Sequence, residues 1–512
     1  MANVVGIIFG EVGYGDFNFV VSEESDLQKG AYVKVKHQRY GWVLAQVNSI
    51  TRYNELYTLN SLTTTPNHKE VEDSERIIAN ARVIGYVDEK GMLKVPKIPF
   101  KPGGKVHVAD SALIKRSLGL RSKSSGLYLG VLDGNESTPV YINVNKLIQK
   151  HVSVLAKTGA GKSYTVGVLV EELLEKRIPV VIIDPHGEYA SLKHPNQNPK
   201  ECELMRKYGI ASKGYDNIVE YTPYLTVNPA ADKKFAMDFT LLKTRDFFDM
   251  LPTKVTDSQK GILFEAIKTA KGFGRYTIDD LINIIKDYEG KAKWNLVTSL
   301  EMVKETNIFE GKPTTPQDMV KKGMASILNL RGVQPDIQEL IVSRLTSNIF
   351  EARKRGEIPP LLLLIEEAHN FCPERGLGQA LSSRIIRTVA SEGRKFGLGL
   401  CVVSQRPARV DKNVLSQCNT QIILKVTNPN DMRAISQSIE GFTSGLEDDI
   451  KQLQPGVALV VGEAIEQPIF VDIRVKRSQH GGISIDIVKE PHRRRAAETP
   501  RFESLIRKLF FR

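Results

Sequence analysis

The sequence has few cysteines, and their spacing matches no metal-binding or disulfide framework. The four cysteines among 512 residues are Cys202, Cys372, Cys401 and Cys418, and no two of them form a C-x-x-C pair. This pattern argues against a structural zinc cluster and indicates a reducing compartment.

Long apolar runs are also missing. No run approaches the ~20 residues that a membrane-spanning helix needs. The first residues, Met1-Ala2-Asn3-Val4, lack the basic segment and apolar core of a signal peptide. We find no internal repeat, no low-complexity tract, and no helix-turn-helix or zinc-finger spacing. We therefore expect a cytoplasmic protein that makes no membrane contact.

What is present is an ordinary globular composition with a basic balance. Hydrophobic residues make up 41% of the chain, charged residues 25%, and the net charge is +12. The charge favours a polyanionic partner, although a solvated surface over so long a chain explains much of it. The length predicts several domains or one large elaborated domain.

The strongest motif is a glycine-rich turn between an apolar run (152–155) and a helical pattern (166–174). Its residues are Ala156-Lys157-Thr158-Gly159-Ala160-Gly161-Lys162-Ser163. Glycines let backbone N–H groups surround a phosphate, and the following helix start adds donors and positive charge. Lys162 is expected to reach the β- and γ-phosphates, and Ser163 to ligate Mg²⁺. The alternative is an ordinary turn before a helix, and Ala156 stands where the strict pattern has glycine.

This motif predicts ATP and Mg²⁺ as the bound groups. The candidate nucleotide-binding residues share a place in or beside the loop, and they are Lys150, Thr158, Gly159, Ala160, Gly161, Lys162, Ser163 and Tyr164. Lys150 precedes the loop strand and is expected to add positive charge from within the same chain.

Two acids follow a second apolar run, 361–365. Phosphoanhydride hydrolysis needs a metal clamp on the phosphate oxygens and a group that orients water. We assign Glu366 to the metal, acting through a metal-bound water, and Glu367 to the attacking water. Two solvated acids that end a strand are the alternative.

Other candidate catalytic residues also follow buried runs, at the edge where ligands bind in open α/β sheets. Asp184 and Glu188 are candidates near the metal and water, and Gln405 is a candidate sensor of the γ-phosphate. Arg394, at a helix end, is the candidate arginine supplied by a neighbouring subunit. The competitors for that role are Arg384, Arg387 and Arg406. A basic loop of Arg406, Arg409 and Lys412 could face a pore and contact phosphates, or simply be solvated.

The organisation predicted is an α/β core with additions. Short β-rich runs at 4–9, 32–37, 41–49, 81–86 and 93–95 predict a small β-barrel, and 96–125 is interpreted as a connector. The barrel and connector span 1–145, and the ATPase core spans 146–190 and 320–480. Helical periodicity predicts an insertion over 191–319. Residues 481–512 form a basic tail.

Taken together, five blocks resemble the HerA family of archaeal hexameric DNA-translocating ATPases. They are Thr158–Ser163, Asp184–Tyr189, Ile365–His369, Glu392–Gly397 and Ser404–Pro407. The resemblance implies a RecA-like motor core, a homohexameric ring, helicase or translocase activity on double-stranded DNA, and a NurA-like nuclease partner in DNA end resection and double-strand-break repair. By position, Lys162, Glu367 and Arg394 match the family's phosphate lysine, catalytic glutamate and trans-acting arginine. Lys150 stands where the family has an arginine.

Two other functions stay open at this point. One is a related ring ATPase that pumps DNA or protein at a membrane complex. The other is a nucleotide-switched scaffold without catalysis, which loss of turnover in a Glu367→Gln variant would separate from both motors.

Overall fold

The computed structural model describes residues 4–22, 25–54, 75–251, 255–439 and 444–481. These residues form a closed N-terminal sheet and a twelve-stranded mixed sheet covered by helices. The arrangement confirms the predicted α/β class with an N-terminal β-barrel. The predicted basic tail lies outside the described residues, apart from Gly481.

The N-terminal sheet is a barrel closed by pairing between its second and fifth strands. Around the barrel the strands follow the order β2-β1-β7-β3-β4-β5, and β6 extends from β5. Alternate residues of β2 (Phe17, Phe19 and Val21) point inward, as the period of two requires. The strands are β1 (Val4–Phe9), β2 (Asp16–Val21), β3 (Tyr32–His37), β4 (Gly41–Asn54), β5 (Glu75–Val87), β6 (Leu93–Lys94) and β7 (Lys105–Val108).

Two barrel strands differ from the sequence prediction. β2 lies between the predicted runs 4–9 and 32–37, where no strand was expected, although Phe17 and Phe19 alternate with polar residues. β7 lies inside the predicted connector 96–125 and pairs with both β1 and β3. The glycines, prolines and lysines around this short strand obscured its pattern. The same segment then forms α1 (Ser111–Ser117), whose N-cap is Asp110.

The large sheet runs in the order β13-β12-β14-β11-β15-β16-β10-β17-β18-β19-β8-β9. Its first eight strands in this order are parallel, and the last four continue it antiparallel. The central strands are buried along their whole length, which explains their continuous apolar runs. The strands are β8 (Gly126–Leu132), β9 (Asn135–Asn143), β10 (Val152–Leu155), β11 (Val180–Asp184), β12 (Ile218–Thr222), β13 (Lys233–Lys234), β14 (Ala325–Asn329), β15 (Leu361–Ile365), β16 (Leu398–Ser404), β17 (Thr420–Ile423), β18 (Val457–Gly462) and β19 (Ile469–Ile473).

The helices after α1 cover this sheet or pack on one another beside it, within a hydrophobic core that they share with the sheet. In the described ranges, none has the length and hydrophobicity that would let it cross a membrane. They are α2 (Val144–Gln149), α3 (Lys162–Glu175), α4 (Pro199–Tyr208), α5 (Thr244–Met250), α6 (Asp257–Gly272), α7 (Ile278–Lys286), α8 (Ala292–Glu305), α9 (Pro316–Met319), α10 (Pro335–Lys354), α11 (Ala368–Phe371), α12 (Ser383–Glu392), α13 (Lys412–Gln417), α14 (Pro429–Ser438) and α15 (Ser444–Gln452).

The structure draws the domain boundaries differently from the prediction. β8 and β9, assigned by sequence to the N-terminal unit 1–145, extend the core sheet through β19. β12 and β13, assigned to the helical insertion 191–319, extend the same sheet beyond β14. β12 carries a buried glutamate, Glu220, in the middle of a short run, so it lacks a continuous apolar pattern. The helices α4 to α9 are the helical part of that segment.

Candidate nucleotide-binding site

The glycine-rich turn joins the end of β10 to the start of α3, as the sequence predicts. Gly161 caps α3 with a left-handed backbone (φ 93°), and Gly159 has φ 77°. No heavy atom lies within 4 Å of where a Cβ would stand at Gly159, so that side of the turn is open. The turn therefore presents backbone donors and a helix N-terminus to open space, as a phosphate-binding loop requires.

The predicted acidic pair lies directly against the phosphate lysine. Lys162 Nζ forms a short ion pair with Glu366 Oε1 and lies 3.3 Å from Glu367 Oε1. Ser163 Oγ lies 3.5 Å from the same Glu366 oxygen. The strand order β10-β16-β15 produces this arrangement, because it brings the carboxyl ends of β10 and β15 within one strand of each other.

Both acids are buried and incompletely paired. Burial raises the pKa of Glu366 to about 7, while the ammonium of Lys162 opposes that rise. Among the described residues, the Oε2 atoms of Glu366 and Glu367 have no hydrogen-bond partner. Buried carboxylate oxygens beside a serine hydroxyl form a donor set that suits Mg²⁺. The residues present therefore fit a magnesium–nucleotide complex, with Ser163 and Glu366 as its candidate ligands.

Gln405 also joins the phosphate loop. It follows β16, and its Oε1 accepts a short hydrogen bond from the Thr158 hydroxyl. The loop, Glu188, Glu367 and Gln405 line one cavity of about 590 Å³. The structure thus brings most of the predicted loop, acid and sensor residues to one place.

Asp184 lies nearby, and its carboxylate binds backbone N–H groups. Its carboxylate accepts hydrogen bonds from the backbone N–H groups of His186 (3.2 Å), Gly187 (2.8 Å) and Tyr189 (3.0 Å). Burial raises its pKa to about 6, although these hydrogen bonds oppose the rise. Both oxygens hold the turn that presents Glu188 to the cavity, and a contribution of Asp184 near the metal and water stays a prediction.

Tyr164 contributes its ring to the cavity wall, but its hydroxyl points elsewhere. The hydroxyl donates to Glu201 Oε2 (2.8 Å) and accepts from the Lys476 N–H (2.8 Å). Its predicted contact with the nucleotide stays a prediction that does not involve the hydroxyl.

Lys150 and Arg394 lie at the opposite side of the sheet, at the amino ends of the parallel strands, which we call its amino edge. The chain enters β10 after Lys150 and leaves it at the phosphate loop, and the turn containing Arg394 precedes β16, which runs parallel to β10. Lys150 Nζ lies 3.3 Å from Glu463 Oε1, and Arg394 is exposed. The structure therefore does not bring Lys150 to the phosphate loop of its own chain, contrary to its predicted role in cis.

Sequence reasoning missed a buried charge cluster that fixes α3. The Arg474 guanidinium lies 2.8 Å from Glu171 Oε2 and 2.9 Å from Glu172 Oε1, and the Arg474 and Glu171 side chains are fully buried. Two adjacent glutamates between apolar residues of α3 were the available hint. No local pattern connects them with an arginine 302 or more residues away.

Comparison with known families agrees with this architecture. Residues 127–349 match the family described as Helicase HerA, central domain, and residues 5–92 match the HAS barrel domain. The first match begins in β8 and includes the phosphate loop. The second covers most of the barrel.

Relatives extend the similarity over almost the whole chain. A probable helicase of Methanocaldococcus jannaschii is 26% identical over 95% of this chain and 93% of its own length. The DNA double-strand break repair helicase HerA of Pyrococcus furiosus is 26% identical, with 95% and 96% covered. VirB4 of Thermoanaerobacter pseudethanolicus shares the fold, with a TM-score of 0.50 at 17% identity over 69% of this chain and 97% of that chain. The chain is therefore similar to HerA helicases over almost its whole length, with a match to the HAS barrel domain followed by one to the HerA central domain.

Proposed function

We propose that this protein is an ATP-dependent helicase and translocase of double-stranded DNA that acts in double-strand-break repair. The observation that carries the proposal is Lys162 held between Glu366 and Glu367 below an open phosphate loop. A phosphate lysine, a metal carboxylate and a water-orienting carboxylate are the parts that P-loop hydrolysis uses.

In this proposal the residues of the chain divide the work of hydrolysis. The loop N–H groups and Lys162 bind the phosphates, so Lys162 leaves the acids when nucleotide enters. Glu367 accepts a hydrogen bond from the attacking water and orients it. Gln405 contacts the γ-phosphate beside Thr158. Mg²⁺ held by Ser163 and Glu366 would neutralise charge on the phosphate oxygens.

The DNA part of the proposal rests on relatives and on charge. A relative covering almost the whole chain is named as a DNA double-strand break repair helicase. The net charge is +12, and the exposed Arg406, Arg409 and Lys412 follow β16 at the edge that holds the nucleotide site. Cations in a loop contact phosphates without reading bases, so we expect binding that tolerates any sequence.

Assembly and partner are also part of the proposal. Arg394 lies away from its own phosphate loop, so a neighbouring subunit is the natural recipient of its charge. We propose a homohexameric ring and a NurA-like nuclease partner, as the family resemblance implies. The solution mass with and without ATP tests the ring, and co-purification tests the partner. Recovery with a membrane complex instead would favour the pumping alternative.

The decisive experiment measures ATP hydrolysis with and without linear duplex DNA. We expect DNA to stimulate the wild-type protein. A Glu367→Gln variant should bind ATP but lose about 100-fold or more in turnover, because the amide cannot act as a base. Glu265→Gln, at an exposed position of α6, is the matched control. Equal wild-type rates with and without DNA, and no duplex binding at low salt, would contradict the proposal.

A further inference from the structure

Glu367 has a second neighbour that the proposed chemistry does not yet use. His369 lies in the first turn of α11, and its Nδ1 is 3.3 Å from Glu367 Oε2 and 3.1 Å from Ser404 Oγ. Glu367 itself caps α11 with a left-handed backbone (φ 48°). Such a conformation is uncommon outside glycine, and it fixes the direction of this carboxylate relative to the imidazole.

The two oxygens of Glu367 are held differently. Oε1 lies 3.3 Å from Lys162 Nζ, whereas buried Oε2 has no hydrogen-bond partner among the described residues. Nucleotide entry would draw Lys162 toward the phosphates and remove the ion pair at Oε1. A buried carboxylate left without any partner is strongly disfavoured. A donor that replaces Lys162 is therefore needed for Glu367 to keep its charge and its orientation.

We propose that His369 is a positioning residue that holds Glu367 when Lys162 moves to the nucleotide. The inference rests on the proposed function, because it assigns a partner to the glutamate of that site. In the tautomer that carries the proton on Nδ1, a small rotation of the imidazole would turn this N–H from Ser404 Oγ to Glu367 Oε2, since Nδ1 is already close to both. Ser404 would keep a partner, because its Oγ also accepts the Arg406 N–H at 3.0 Å.

The position of Ser404 gives this exchange a second consequence. Ser404 ends β16 and is followed by Gln405, which bonds Thr158 of the phosphate loop. The imidazole therefore lies between the water-orienting glutamate and the turn that contacts the loop. Burial lowers the pKa of His369, which favours the neutral ring, and a neutral ring has a single N–H to give to one side or the other.

The test compares His369→Ala with His369→Asn in the full-length protein. An asparagine Nδ2–H donates from about the place of the imidazole Nδ1–H, whereas alanine donates nothing. We expect His369→Ala to lower kcat by about tenfold to a hundredfold, the range for losing a hydrogen bond to a charged group. The KM for ATP and the affinity for a fluorescent ATP analogue should stay within about twofold. His369→Asn should recover most of kcat.

The outcomes separate this inference from the proposed function. Absence of wild-type ATPase activity would overturn the proposed function, and the inference with it. A normal wild-type rate combined with a normal His369→Ala rate would overturn the inference alone. So would equal defects in the alanine and asparagine variants, or a loss of nucleotide affinity that matches the loss of kcat. Far-UV circular dichroism and analogue binding verify that each variant is folded.

A double-mutant cycle tests the link to the β16 turn. Ser404→Ala removes the alternative acceptor of the imidazole N–H. If Ser404 acts only by accepting the imidazole N–H of His369, the double variant His369→Ala/Ser404→Ala should be no slower than His369→Ala alone. Rate losses that multiply would show that the two side chains act independently, and would overturn the shared-proton arrangement.

Discussion

The two edges of the ATPase sheet carry charge in opposite ways. At the carboxyl edge, the buried Glu366 and Glu367 are both paired with the half-buried Lys162. At the amino edge, Arg394 is exposed, and Lys150 makes one partly exposed ion pair with Glu463. The parallel strands β10 and β16, each only a few residues long, run from the amino edge to the carboxyl edge.

This difference indicates what each edge is for. Burying charges costs free energy unless the charges are paired with one another. We therefore interpret the charged cluster at the carboxyl edge as a ligand-binding site. Exposed cations cost little free energy, because water solvates them, and they are accessible to an anion on another molecule. We interpret the molecule as having a nucleotide-binding edge and an edge that offers cations to a neighbour.

The largest expected effect concerns Arg394. Arg394→Ala should reduce ATP hydrolysis by about 10³-fold, the usual value of an arginine finger, while ATP binding persists. Mixing this variant with Lys162→Ala subunits should restore part of the activity. In such mixed rings, an intact Lys162 site can lie beside a subunit with an intact Arg394. The measurement is ATPase activity against mixing ratio.

The matched control for the mixing experiment uses Lys162→Ala mixed with Glu367→Gln. Both of these defects lie at the carboxyl edge, where one subunit supplies both residues of a site. Every site in such a mixed ring therefore lacks either Lys162 or Glu367. Recovery in that control, or none with Arg394→Ala at any ratio, would contradict the two-edge interpretation.

The next effect concerns the cluster that fixes α3 behind the nucleotide-binding edge. Arg474→Met should lower the free energy of unfolding by about 3–5 kcal/mol, because it leaves Glu171 and Glu172 buried without their cation. Lys260→Met is the control, since its ion pair with Asp257 is exposed and should contribute far less to the free energy of unfolding. Urea unfolding of both variants makes the comparison. Equal losses of unfolding free energy in the two variants would mean that the buried cluster stabilises the protein no more than an exposed ion pair does.

At the amino edge, His151 should make stability sensitive to acid. Its Nε2 lies 3.0 Å from the Ala390 carbonyl oxygen, and its Nδ1 accepts the Leu400 N–H at 2.9 Å, so the folded ring is neutral. Burial lowers its pKa from 6.5 to about 4. A lowered histidine pKa gives stability that is complete above pH 6.5 and is lost as the pH falls toward 4.

The measurement compares wild type with His151→Asn, since asparagine tolerates the left-handed backbone at this position (φ 57°) and does not titrate. Between pH 7.5 and 5.0, the free energy of unfolding of the wild type should fall by about 2 kcal/mol more than that of the variant. Parallel pH profiles would exclude the neutral, doubly bonded ring.

The smallest effect concerns Lys150. Its ion pair with Glu463 is partly exposed, so Lys150→Ala should change the free energy of unfolding by less than about 1 kcal/mol. Because Lys150 lies across the sheet from its own loop, nucleotide affinity of the separate subunit should not change. A loss of affinity that occurs only in the assembled ring would place Lys150 at the neighbour's nucleotide.

Much of this molecule follows from local patterns. The apolar runs predict β10, β15 and β16 closely because these strands are buried on both faces. The phosphate loop is recognisable because its glycines, lysine and serine are contiguous. β7 and β12 were not predicted as strands of these sheets, because one is very short and the other carries a buried glutamate.

Sequence alone determined the parts of the site: a phosphate loop, acids at a strand end, a strand-end glutamine and an arginine at a helix end. Each is a local feature, set by residues within one turn or strand. Only the tertiary structure decided which parts meet. Strand order places Glu366 and Glu367 against Lys162, the parallel direction of β10 and β16 puts Lys150 and Arg394 at the opposite edge, and long-range packing pairs Arg474 with α3. Such contacts join residues far apart in the chain, so no local pattern encodes them.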